Sequence, residues 1–134
     1  MTTAVLSRLE PSENQYSDFS ETMMNTLRES KCILKFDRCD FLFHKGEPAE
    51  YIYFIESGFI QLFRSSSDHR EHSIIVLGAG DWVGYRDALS GGFYLHDARS
   101  IRKTTVYRFS NSSLSKAMQE NPSFSYLLIQ EMSK

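Results

Sequence analysis

The stretch that decides the fold runs from Phe41 to Phe109. It opens with FLFHKGEPAEYIYFIESGFIQLF at positions 41–63 and later includes LGAGDWVG at positions 77–84. Short apolar runs of strand length alternate here with glycine turns at close intervals, a pattern typical of small antiparallel all-β domains. The sequence therefore predicts a mainly β protein with flanking helices, built on an antiparallel barrel or sandwich of the jelly-roll (double-stranded β-helix) type.

Within and just before this stretch, apolar side chains alternate with polar neighbours, which predicts strands that turn one face to a core. The Ser65–Asp68 run predicts a hairpin tip, because serine and aspartate side chains readily hydrogen-bond their own turn backbone. Thr104–Phe109 is predicted to be the last strand. The inward-facing positions are predicted to be Cys32, Leu34, Phe36, Cys39, Phe41, Phe43, Phe54, Ile60, Leu62, Ile74 and Val76.

A helix is predicted before the strands. Residues 1–11 show no periodicity and are predicted to be a flexible lead-in. Ser12 is a suitable N-cap, and the acidic Glu13 follows it in the first turn. The apolar positions of this helix fall on one stripe that would pack against the strands, and they are Tyr16, Phe19, Met23 and Leu27.

Two further helices are predicted after the last strand. Ser110 or Ser112 caps the first, and Asn121-Pro122 ends it, because the residue before a proline avoids the helical region. Ser123 is predicted to begin the second helix. The apolar face of this second helix consists of Phe124, Leu127, Leu128 and Met132.

Composition narrows the class of protein. With 134 residues and a hydrophobic content of 41%, the chain predicts one domain with a moderate core. A net charge of −2 gives no electrostatic reason to expect binding to nucleic acid or membranes. No apolar run is long enough to cross a bilayer, and the N-terminus lacks the apolar region of a secretion signal. We therefore predict a cytoplasmic protein with no membrane partner.

Four phrases in order resemble the sensor domain of Crp/Fnr-type transcription regulators, that is, the cyclic-nucleotide-binding domain. The resemblance extends from about Leu34 to the end of the chain. The phrases are KGEPAEYIYFI at 45–55 with ESG at 56–58, GAGDWVG at 78–84, TTVYRF at 104–109, and Asn121-Pro122 with the helix that follows. The resemblance implies a sensor barrel with its N-terminal helix at 12–122 and the start of a C-terminal dimerisation helix at 123–134.

In nucleotide-binding members of that family, the phosphate-binding cassette begins Gly-Glu and later carries an arginine. The arginine binds the cyclic phosphate, and the glutamate accepts a hydrogen bond from the ribose hydroxyl. Here Gly84 is present, but Tyr85 stands in the place of the glutamate, and Tyr94, Leu95 or His96 falls at the arginine position. The resemblance therefore predicts that ordinary cyclic AMP binding is lost or altered.

The sequence around the cassette is closer to the Fnr branch, in which the cassette is rebuilt and does not hold cyclic nucleotide. Fnr itself carries an iron–sulfur cluster on an N-terminal cysteine cluster, which Cys32 and Cys39 alone cannot supply. No cofactor is assigned, a cyclic nucleotide or another small effector stays open, and haem is not expected. The candidate pocket residues are Gly84, Tyr85, Arg86, Asp87, Ala88, Leu89 and His96.

The resemblance also implies a homodimer, formed through the apolar face of the C-terminal helix given above. DNA would be read by a helix-turn-helix domain that is not in this chain. The alternative is a module of the same fold that binds no ligand and serves dimerisation or protein interaction.

Enzyme and metal sites are weakly supported. The spacing in His69-Arg70-Glu71-His72 does not fit a cupin metal site, in which histidines share one strand face, and no nucleophile arrangement is present. No catalytic residue and no metal site are predicted. Cys32 and Cys39 are predicted to be small core residues on neighbouring strands, with a regulatory disulfide as the alternative.

Overall fold

The computed structural model describes residues 18–133. The predicted lead-in at 1–11 and the predicted cap at Ser12 lie outside the described residues. The helices are α1 (Asp18–Thr26), a 3₁₀ turn (Arg28–Ser30), α2 (Tyr85–Ser90), α3 (Asn111–Glu120) and α4 (Pro122–Met132). The strands are β1 (Cys32–Phe36), β2 (Phe41–Phe43), β3 (Tyr51–Ser57), β4 (Phe59–Ser65), β5 (Glu71–Gly78), β6 (Trp82–Val83), β7 (Asp97–Ser100) and β8 (Thr104–Ser110).

The strands form two four-stranded sheets, in the orders β1-β8-β3-β6 and β2-β7-β4-β5. All the pairings are antiparallel. The predicted mainly β jelly-roll architecture with flanking helices is confirmed, in the form of two facing sheets with free edges rather than a closed barrel. Strand β5 lies at one such edge, and among residues 18–133 it pairs with β4 alone.

One hydrophobic cluster lies between the two sheets, and we call it the inter-sheet core. Strand alternation explains its composition, since Tyr53 and Ile55 of β3 point to the same side as Val106 of β8. Its buried members are Phe43, Ala49, Tyr53, Ile55, Ile60, Val83, Tyr94, Ala98 and Val106.

A second cluster, the helix-side core, joins the opposite face of the first sheet to the helices. The intervening residues of the same strands, Ile52 and Phe54 of β3 and Phe109 of β8, enter it. Of the predicted stripe, Phe19, Met23 and Leu27 pack against these strands and are confirmed as core, whereas Tyr16 lies outside the described residues. The remaining buried members are Tyr85, Leu114, Phe124 and Leu128.

The predicted cap and end of the first C-terminal helix are confirmed, and the second helix begins one residue earlier than predicted. The Ser110 hydroxyl caps α3 by accepting from the Ser113 backbone N–H at 3.1 Å. The Asn121 side chain caps α4 by accepting from the Ser123 and Phe124 backbone N–H groups at 3.1 and 3.3 Å. Helix α4 therefore begins at Pro122 and not at Ser123, because proline is well suited to the first helical position.

Part of the predicted inward set is wrong. Ile74 and Val76 of β5 are 46% and 49% exposed. Strand β5 is an edge strand, and the register of its pairing with β4 shifts between Leu62 and Phe63, so the alternation is interrupted there. An alternating pattern gives the residues that share a face, but it does not say whether another element covers that face.

The prediction for the cysteines is also wrong. Cys39 is exposed and lies in the turn between β1 and β2, with a positive φ of 71°. Cys32 is half-buried, and it lies in the first sheet whereas β2 belongs to the second. Both thiols are free, and because neither side chain is fully buried, neither cysteine is a small core residue. Phe41, predicted to point inward, is 38% exposed.

Candidate functional site

The cassette segment, residues 84–96, follows β6 and contains α2. Gly84 begins it with a φ of 91°, a backbone conformation that glycine adopts without strain. A Cβ at this position would lie 3.3 Å from the Tyr94 ring and 3.4 Å from the Tyr51 carbonyl oxygen. Gly84 therefore allows a tight turn directly against β3.

Tyr85 is turned away from the space between the sheets. Its ring is buried in the helix-side core, with its centroid 5.7 Å from that of Phe19. Burial raises the pKa of its hydroxyl above the usual value, although the neighbouring Arg86 opposes the shift. Tyr85 thus anchors the cassette segment to α1.

Arg86 also points toward the helices. Its guanidinium donates to the Met132 carbonyl oxygen at 3.0 Å and to the Glu131 carbonyl oxygen at 3.4 Å. These carbonyls lie in the last turn of α4, where a cation interacts favourably with the helix dipole. Arg86 therefore connects the cassette segment to the end of the C-terminal helix.

The other predicted pocket residues lie in or near α2 and contact different neighbours. The half-buried Asp87 accepts a hydrogen bond from the Leu95 backbone N–H and lies near His96. Burial raises the pKa of the Asp87 carboxyl, and both of those neighbours oppose the shift. Ala88 packs against both cores and Leu89 against the helix-side core. Within residues 18–133, the predicted residues contact different parts of the molecule, Tyr85 and Leu89 the helix-side core and Arg86 the end of α4.

Tyr94 occupies the space between the sheets beside the cassette. It is 3% exposed, and its ring stacks on Phe43 with centroids 3.6 Å apart and planes 8° apart. Its hydroxyl donates to the Tyr51 carbonyl oxygen at 2.6 Å and accepts from the Tyr51 N–H at 3.3 Å. Burial is the main cause of the raised pKa of this hydroxyl. Of the three residues predicted for the family's arginine position, this buried aromatic is the one that faces the inter-sheet core.

A cavity of about 380 Å³ opens beside Tyr94, and sequence reasoning missed it. Arg108 of β8 is the one arginine or lysine among its lining residues, and its guanidinium lies 4.0 Å from the centre of the Tyr51 ring. Alternation from Val106, which is buried between the sheets, could have placed Arg108 on that face. We call this space the Arg108 cavity.

The histidines and cysteines do not converge. Within residues 18–133, no group of three or more histidine, cysteine, aspartate or glutamate side chains is arranged to hold a metal ion. His44 stacks on Phe41 and lies 3.6 Å from Asp97. His69 lies in the β4–β5 turn, and His72 is exposed on β5.

The apolar face predicted for dimerisation is the face that α4 turns to its own domain. Phe124 and Leu128 are buried in the helix-side core, and Leu127 and Met132 pack against it. The exposed apolar side chains of α4 are Tyr126 and Ile129, at 63% and 59%. Phe124 and Leu128 therefore pack within the domain as the helix stands, and dimerisation through this face stays a prediction.

Residues 33–121 match the family model of the cyclic nucleotide-binding domain. The chain therefore belongs to the cyclic nucleotide-binding domain family. Its two-sheet jelly roll and the glycine that begins the cassette segment agree with this assignment. None of the helices in the described part of the chain is long and apolar enough to cross a membrane.

Three curated relatives are similar over most of the chain. An uncharacterized protein of Haemophilus influenzae is 22% identical over 78% of this chain and 84% of its own length. The neuropathy target esterase of Drosophila melanogaster is 25% identical over 86% of this chain but 9% of its own length. A CRP-like cAMP-activated global transcriptional regulator of Mycobacterium tuberculosis is 24% identical over 74% of this chain and 44% of its own length.

Solved structures share the fold with this chain, and they include sensor domains of Crp/Fnr-type regulators. The N-terminal domain of a transcriptional regulator from Streptomyces coelicolor superposes with a TM-score of 0.71 at 22% identity, covering 84% of this chain and 79% of that chain. The sensor domain of the regulator DNR from Pseudomonas aeruginosa gives a TM-score of 0.72 at 22% identity, covering 85% and 77%. The predicted resemblance to such sensor domains is confirmed.

Proposed function

We propose that this chain is the effector-sensing domain of a Crp/Fnr-type transcription regulator, with a cassette that does not hold ordinary cyclic AMP. It would act without catalysis, as a homodimer in the cytoplasm, and DNA would be read by a separate domain. The observation that carries the proposal is the pair of tyrosines in the cassette segment. Tyr94 fills the inter-sheet space with a stacked ring, and Tyr85 is buried among the helices.

The energetic reason is the absence of a charge partner in the cassette. A cyclic phosphodiester loses roughly 1.5–3 kcal/mol for each hydrogen bond to a charged group that is not made. Arg86 is the arginine of the cassette segment, and it donates to α4 instead. Recruiting it would require breaking those two hydrogen bonds and turning its side chain toward the other side of α2.

The same contacts would transmit a displacement of α2 to the neighbouring helices. Tyr85 and Arg86 attach α2 to α1 and to the last turn of α4. A ligand that displaced α2 would shift the end of α4, and in a dimer this would change the relative position of the two subunits. A coupling of this kind requires two arrangements of the helix with different ligand affinities.

Cyclic AMP titration followed by ¹⁵N–¹H correlation spectra tests the proposal. We expect no saturable shift of the amides of residues 84–96. Micromolar binding with shifts in this segment, abolished in Arg86→Gln and retained in the exposed-arginine control Arg64→Gln, would overturn it.

A second function, a ligand-free interaction module, is favoured by the apolar side chains Tyr126 and Ile129 that α4 leaves exposed. Sedimentation across a concentration series distinguishes the two functions. In a ligand-free module, Ile129→Glu would abolish a dimer that forms without any effector. Ile33→Glu is the matched control, because Ile33 of β1 is 57% exposed and Ile129 is 59% exposed. Equal dissociation by both variants would exclude α4 as the interface.

A further inference from the structure

The Arg108 cavity contains an arginine without an ion pair. Arg108 is half-buried, and within residues 18–133 no carboxylate lies within ion-pair distance of its guanidinium. Its close partner is the face of the Tyr51 ring, 4.0 Å away. A guanidinium stacked on an aromatic ring keeps its N–H donors free at its edge, in the geometry that suits a carboxylate or phosphate.

The cavity has the size and lining of a small-molecule site. Its volume of about 380 Å³ falls within the usual range for ligand pockets. The rings of Phe43, Tyr51 and Tyr53 contribute apolar surface beside the arginine. Tyr53 also has a pKa raised to about 12, mainly by burial, with Arg108 opposing the shift. Its hydroxyl is therefore a neutral donor at physiological pH.

Two carboxylates limit the charge of the ligand. Glu47 and Glu50 also line the cavity, and both are exposed. Glu47 accepts a hydrogen bond from the His44 backbone N–H at 2.9 Å, which holds it in the turn before β3. Exposed negative charges near the entrance repel a dianion more than a monoanion. A carboxylate therefore fits this site better than a phosphate monoester.

We propose that the Arg108 cavity binds a small organic monoanion, with its carboxylate on the Arg108 guanidinium and its apolar or aromatic body against the tyrosine rings. Tyr94 is the residue of the cassette segment that lines this cavity, and none of the lining residues belongs to α2. A benzoate titration and a cyclic AMP titration test the two proposals separately.

Benzoate, phenyl phosphate and the neutral isostere benzamide are the probes, each titrated into the protein and followed by ¹⁵N–¹H correlation spectra. We expect saturable shifts at the amides of Tyr51, Tyr53 and Arg108 with benzoate, weaker ones with phenyl phosphate and none with benzamide. Equal binding of benzoate and benzamide, or no binding of either anion, would overturn the proposal. Tighter binding of phenyl phosphate would overturn the preference for a monoanion.

Arg108→Gln should weaken benzoate binding by roughly tenfold or more, because it removes a charge-assisted pair of hydrogen bonds. Arg102→Gln is the matched control, since Arg102 also lies over an aromatic ring, that of Phe59 at 5.9 Å, but does not line the cavity. If the glutamine variant fails to fold, Arg108→Lys, which keeps the positive charge, is used to test whether Arg108 binds benzoate. An unchanged affinity in both Arg108 variants would refute the assignment.

Discussion

The cassette segment and strand β5 lie close together in the chain and differ sharply in burial. Tyr85 and Tyr94 of the cassette segment are 8% and 3% exposed. Ile74, Ile75 and Val76 of β5 are each close to half exposed. The aromatic side chains that carry hydroxyl groups are thus inside, whereas a run of purely aliphatic side chains remains in contact with solvent.

The difference shows that position in the fold outweighs side-chain polarity. Tyr94 lies between two sheets, and the Tyr51 backbone satisfies its hydroxyl, so its burial leaves no hydrogen bond unmade. Strand β5 lies at a free sheet edge, and within residues 18–133 it pairs with β4 alone. Tyr94 therefore fills space between the sheets with its own ring, stacked on Phe43.

The largest expected difference between the two regions is in the effect of truncating one side chain in each. Tyr94→Ala should lower the free energy of unfolding by about 3–5 kcal/mol, because it removes a buried ring stacked on Phe43. Ile75→Ala should lower it by about 1 kcal/mol or less, since its side chain is half exposed. Urea denaturation of both variants measures these losses. Equal losses would show that the two regions are equally packed.

Alkaline pH tests the burial of the tyrosines without removing any side chain. Burial raises the pKa of Tyr53 from 10.0 to about 12 and also raises the pKa of Tyr94. The folded state therefore holds protons that the unfolded chain releases above pH 10. The corresponding stability is fully present below pH 10 and is lost as the pH rises toward 12, by about 2 kcal/mol for Tyr53.

Urea midpoints measured at intervals between pH 9 and the onset of unfolding follow this loss. Tyr53→Phe should reduce the fall of the urea midpoint with rising pH, because phenylalanine cannot titrate. Tyr94→Phe should reduce this fall independently. Tyr126→Phe is the control, since Tyr126 is exposed on α4. A decline that none of these variants alters would mean that other groups control the alkaline stability.

The smallest effect is expected at the link between the cassette segment and α4. Arg86→Gln should cost about 0.3–1 kcal/mol, because the side chain is exposed and its two acceptors are carbonyls of a helix end. Hydrogen exchange in the last turn of α4 should become faster, while exchange in β5 should not change. Arg64→Gln is the control at an exposed arginine of β4. Unchanged exchange in α4 would show that the contact does not hold the helix end.

Much of the local structure could be predicted from the sequence. The apolar stripe of Phe19, Met23 and Leu27 was correctly assigned to a packed helix, and Ser110 was one of two predicted caps for α3. The break at Asn121-Pro122 was also correct. These features depend on side chains within a few residues of one another, through helix periodicity and backbone hydrogen bonding, so the chain encodes them locally.

The candidate site was less predictable. Tyr85 and Arg86 were assigned to the pocket because they follow Gly84 in the segment that resembles the family's cassette, but α2 directs both of them toward other helices. Arg108 was passed over because an arginine within a strand has no distinctive local motif. Its cavity exists only because β8 pairs with β3, which places Arg108 opposite Tyr53.

The sequence alone determined the mainly β class with flanking helices, the caps of the two C-terminal helices, the start of α4 to within a residue, and the family to which the chain belongs. Tertiary structure alone decided which apolar faces are covered, which way Tyr85 and Tyr94 point, and that Arg108 stacks on the Tyr51 ring without an ion pair among the described residues. The physical reason is that turn and periodicity preferences act between near neighbours in the chain. Burial and charge pairing depend on elements that are distant in sequence and meet only when the two sheets and the helices pack together.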